Sequence, residues 1–72
     1  MELLDYFRDK KKTLDFKHEK TRDRFKEWIS LGNVPKIKET LKDLKKIQRK
    51  IAIFHEDVRQ YLPISEQYEF IN

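Results

Sequence analysis

The chain has no cysteine, one glycine, two prolines and a single alanine among its 72 residues. Without thiols neither a disulfide framework nor a thiolate zinc site can form, and a reducing compartment is the natural setting. A lone glycine leaves no glycine-rich loop to cradle a phosphate. Ser30 and Ser65 are the only serines, so nucleophilic chemistry has little to work with. No apolar run approaches the roughly 20 residues that a membrane span needs, and Met-Glu-Leu-Leu-Asp is not the start of a signal peptide. These shortages predict a soluble, cytoplasmic chain that is no enzyme, holds no cofactor and no metal, and does not enter a membrane.

What the chain does have is charge and helical periodicity. Charged residues make up 42% of it, yet the net charge is only +4, so most charges are interspersed pairs on solvated faces. At this length one small domain is expected, with a core thin enough that help from a partner is expected as well.

The most regular stretch runs from Val34 to Leu62. Apolar residues recur at Val34, Ile37, Leu41, Leu44, Ile51, Val58 and Leu62 in alternating steps of three and four, interrupted at Gln48 and His55. That spacing is the seam of a coiled coil. Asn33 stands where a cap belongs, Pro35 falls in the first turn, where it costs no hydrogen bond, and Pro63 comes where a helix must stop. A helix of this length is roughly 43 Å long at ~1.5 Å per residue.

The same alternation runs through Leu4, Phe7, Lys11, Leu14, His18, Thr21, Phe25 and Trp28, which predicts a first helix over residues 3–31. Gly32 ends it as a left-handed cap. The turn at 32–33 is too short for anything but antiparallel packing against a second helix over 34–62. Folding about the turn sets Trp28 beside Ile37, Leu14 beside Ile51 and Phe7 beside Val58, while His18 meets Gln48 and Lys11 meets His55. Polar interruptions thus meet polar interruptions, as polar layers that fix register do. The charged run from Arg8 to Thr13 marks a place for a kink or break, and Tyr6 and Phe16 fall on the outer face. In the tail, 63–72, Ser65 is placed to cap a last short helix.

The expected fold is therefore all-α: an antiparallel, coiled-coil-like two-helix hairpin with a short C-terminal helix or tail, dimerising into a four-helix bundle. The bundle follows from a surplus of apolar surface. Ile47, Phe54 and Tyr61 form a further row seven residues apart, facing Leu3, Lys10, Lys17 and Arg24 across the hairpin. This row, with Leu3 and with Trp28 near the turn, is the expected protein interface, for a second copy or for a foreign helix. The function that fits is a protein–protein interaction module, a small regulator or inhibitor. A structural or assembly subunit is another use of the same surface.

Charge suggests an alternative. Residues 36–50 carry seven basic side chains against Glu39 and Asp43, a net of +5. Lys38, Lys42, Lys45, Lys46 and Arg49 could track phosphates, because the electrostatic part of nucleic-acid binding is blind to sequence. The competing reading is a solvated lysine face, partly offset by the acidic row Asp15, Glu19, Asp23 and Glu27.

Overall fold

A computed structural model describes residues 2–71 as three helices: α1 (Leu3–Leu31), α2 (Val34–Tyr61) and α3 (Ile64–Gln67). α1 and α2 pack along one another as a hairpin, giving a rod with extents of 45 × 21 × 16 Å. No helix among the described residues is long and apolar enough to cross a membrane.

The turn is built as its residues dictate. Gly32 adopts φ +67°, a left-handed conformation that costs an L side chain energy but not glycine. Its N–H donates to the Ile29 carbonyl, and the Asn33 N–H donates to the Trp28 carbonyl, both at 3.1 Å. That pair of bonds is the Schellman pattern, which satisfies two orphan carbonyls at the end of α1. Asn33 then starts α2, its Oδ1 accepting from the Lys36 N–H at 3.3 Å. α1 is one helix through Arg8 to Thr13, so the charged run does not break it. The charges of that run point to solvent, and Lys11 alone is partly covered.

α1 buries the face its periodicity predicts. Phe7 and Leu14 are buried, and Leu4, Lys11, His18, Thr21, Phe25 and Trp28 are half-buried. α2 is turned about its axis relative to expectation. Thr40, Leu44, Phe54 and Val58 are buried, with Ile37, Ile47 and Ile51 half-buried, whereas Val34 and Leu41 are 55% and 40% exposed and Gln48 faces solvent. The seam therefore reads Ile37, Thr40, Leu44, Ile47, Ile51, Phe54, Val58, with no large polar interruption. Burying Phe54 stabilises by about 1.5–3 kcal/mol and the half-buried Ile47 adds a fraction of that, while Gln48 turns out to solvent and His55 stays half-buried beside Phe54. The cost is a buried threonine, whose hydroxyl is satisfied by donating to the Lys36 carbonyl at 2.7 Å.

The tail closes one end of the rod. Phe70 packs on Phe7 and Phe54 with ring centroids 6.2 and 5.9 Å away, and Phe7 meets Phe54 at 5.7 Å. With Leu14, Val58 and Leu62 these three rings form the main core. Arg8 holds the tail by donating from Nε to both carboxylate oxygens of Glu69, at 2.9 and 3.1 Å. The Gln67 side-chain amide donates to the Leu62 carbonyl at 2.9 Å and the Arg59 carbonyl at 3.3 Å, serving the end of α2. Ser65 does not cap α3. The N-cap is Pro63, whose carbonyl accepts from the N–H groups of Glu66 and Gln67.

Candidate binding groove

Two helices in contact leave a groove along each side of their seam, because each presents more lateral surface than one neighbour can cover. At the open end of the hairpin the tail supplies a third layer. Towards the turn nothing does: the main core lies in the open half, and around the buried Thr40 and Leu44 the residues Phe25, Trp28 and Ile37 stay half-buried. Ile29 and Leu31 are exposed there, beside Val34 and Leu41.

An open groove of about 300 Å³ runs between the helices where this thinner half meets the middle of the rod. α1 supplies Phe16, Lys17, Lys20, Thr21 and Arg24, and α2 supplies Asp43, Lys46, Ile47 and Lys50. The spacing explains the grouping: 17, 20 and 24 share one side of α1, while 43, 46, 47 and 50 share the facing side of α2. Five cations thus meet one carboxylate around an isoleucine. Among the described residues the ion pairs are Arg8 with Asp5, Arg8 with Glu69 and Lys36 with Glu39, so none of the five groove cations is paired. The acidic row Asp15, Glu19, Asp23 and Glu27 does not line the groove. Lys20 sets its ammonium 4.6 Å from the Phe16 ring centroid, a cation–π contact at the rim.

The residues expected to form an interface are dispersed. Phe54 is 3% exposed, sealed under Phe70 and Phe7, and is thereby removed from any docking surface. The reason is the rotation of α2, which makes the extra row half of the seam. Ile47 lies in the groove, half-buried. Tyr61 and Leu3 are exposed at the open end, and Trp28 is half-buried near the turn with the Lys36 ammonium 5.9 Å from its ring centroid. Of Lys38, Lys42, Lys45, Lys46 and Arg49, Lys46 alone lines the groove. Lys20 and Lys50 were not expected in a site. Their signal was the stagger of cations on two facing helix sides, visible only once the phase of α2 is right.

Among the described residues no three His, Cys, Asp or Glu side chains gather as a metal site requires. No protein-family model, curated protein or solved structure matches this chain.

Proposed function

We propose that the chain is a non-enzymatic interaction module and that the cationic groove is its working surface. The supporting observation is the cluster of Lys17, Lys20, Arg24, Lys46 and Lys50, unpaired in a common groove beside Ile47. Like charges that line one groove repel, and a binding partner of opposite sign relieves that repulsion. An isologous dimer through this groove would instead set five cations against five, so the groove suits a partner that is not a second copy. Dimerisation into a four-helix bundle would have to use other surface, such as the exposed Ile29, Val34 and Leu41.

The test is to titrate poly-L-glutamate into the labelled protein and follow its amide resonances. The expected shifts gather at Lys17, Thr21, Arg24, Asp43, Ile47 and Lys50 and vanish in the K46E/K50E variant. Shifts spread evenly over all exposed lysines, Lys12 and Lys38 included, would count against the groove. Nucleic-acid binding is the second reading, favoured by the same unneutralised cations, and it predicts affinity that falls steeply with salt.

A further inference from the structure

Resting on the reading above, we infer that the groove receives an acidic amphipathic helix of a partner protein, laid along α1 and α2 as a third helix. The cross-section supplies the argument. Lys17, Lys20 and Arg24 line the groove from α1 at steps of three and four, Lys46 and Lys50 line it from α2 with Asp43 as the one carboxylate, and Ile47, Thr21 and Phe16 complete the lining. Cation, apolar floor and cation is the complement of an apolar stripe flanked on both sides by Asp or Glu. Helices that dock in grooves present that pattern, with apolar anchors at i, i+3, i+4 and i+7 and charges on the flanks. Lys17 and Arg24 lie seven residues apart, about 10 Å along the axis at ~1.5 Å per residue, which matches two turns of a docked helix.

The fold shows the same requirement elsewhere. At the open end a third segment was needed to seal the seam, and the tail provides it by setting Phe70 against Phe7 and Phe54. Alongside Ile47 and Phe25 the seam has no such cover. Phosphate tracking would use the cations alone and would not cover the part of Ile47 that the seam leaves open. Base stacking would fall on Phe16, 58% exposed with the Lys20 ammonium 4.6 Å from its ring centroid, and would leave Ile47 uncovered. A second copy offers Asp15, Glu19, Asp23 and Glu27, a single acidic row at steps of four where the groove asks for two rows astride an apolar stripe.

Three probes separate these occupants: a peptide of about 18 residues with a leucine stripe flanked by two glutamate rows, its scrambled isomer, and an RNA hairpin of similar charge. Binding is measured at about 0.15 M salt, where exposed charges more than ~8 Å apart are screened. The expected result is that the striped peptide binds at least tenfold tighter than the scrambled one and gains helicity on binding. Its shifts fall on the groove residues. Ile47→Asp removes at least tenfold of the affinity, and K50E, which leaves the seam untouched, does the same should Ile47→Asp perturb folding. Equal binding of both peptides at the groove, without helix gain, would overturn the helix and leave the groove reading standing. Tighter binding of RNA, lost steeply with salt, would overturn it in favour of phosphate. A dimer by light scattering that Ile47→Asp or K50E dissociates, with no groove shifts from the striped peptide, would overturn it in favour of a second copy. Absence of groove shifts with every probe would remove both the inference and the reading beneath it.

Discussion

Replacing Phe54 with alanine distinguishes a core residue from an interface anchor. Its ring is 3% exposed and touches the rings of Phe7 and Phe70. Truncating such a phenylalanine costs about 3–5 kcal/mol, the transfer term plus the cavity that the neighbours do not fill. For a chain of this size the whole stability is about 4–11 kcal/mol, at 0.05–0.15 kcal/mol per residue, and small cores sit towards the low end. The variant should therefore lose a large share of its stability. At about 4–8 °C per kcal/mol in a domain of this length, the midpoint should fall by roughly 12–40 °C. Urea and thermal unfolding followed by far-ultraviolet circular dichroism measure both. Tyr61→Ala is the control, because Tyr61 is 57% exposed and its loss should change stability by no more than about 0.5 kcal/mol. A double mutant with Phe70→Ala should be less destabilised than the sum of the singles, since the two rings share one cavity. If Phe54→Ala costs less than about 1 kcal/mol, the phase assigned to α2 is wrong and the tail does not seal the seam.

Other perturbations probe the remaining parts. Gly32→Ala should cost about 1–2 kcal/mol in chemical denaturation, purely from the left-handed backbone, because an added Cβ would meet nothing within 4 Å. Gly32→Asn should cost less. Arg8→Ala should cost at most about 1 kcal/mol, read as a difference in urea midpoint, because its pair with Glu69 is exposed. K46E/K50E should keep its helix content and melt slightly higher, since it removes repulsion among unpaired cations, while losing affinity for acidic peptides. A lower melting temperature would show that the groove cations are not in mutual tension.

Much of the hairpin was legible because its signals are local. Asn33, Gly32 and the two prolines act within a few residues of themselves, and the seam of α1 pairs Phe7 and Leu14 with no rival register. α2 was harder because two stripes one residue apart compete. Leu41 with Gln48 and His55 looks better at its first position than Thr40 with Ile47 and Phe54, since threonine reads as polar. The second stripe wins at the next two positions, and a helix has one phase, so Thr40 is buried with it. The tail was less legible still. Phe70 earns its place by completing a cluster drawn from two other helices, a relation that no spacing in the tail encodes. The groove inherited both problems. Lys17 and Arg24 were placed opposite the row containing Ile47, but their role as one wall of a groove depends on Phe54 having left that row for the core.

The hairpin is asymmetric: the tail seals the seam in its open half, and towards the turn the seam is covered by two helices alone. Residue-resolved hydrogen exchange tests this asymmetry most directly, because it reads the free energy of local opening along each helix. Amides around Leu14, Phe54 and Val58 should exchange at least about tenfold more slowly than those around Phe25, Trp28, Ile37 and Leu41. Equal protection in both halves, or slower exchange towards the turn, would contradict it.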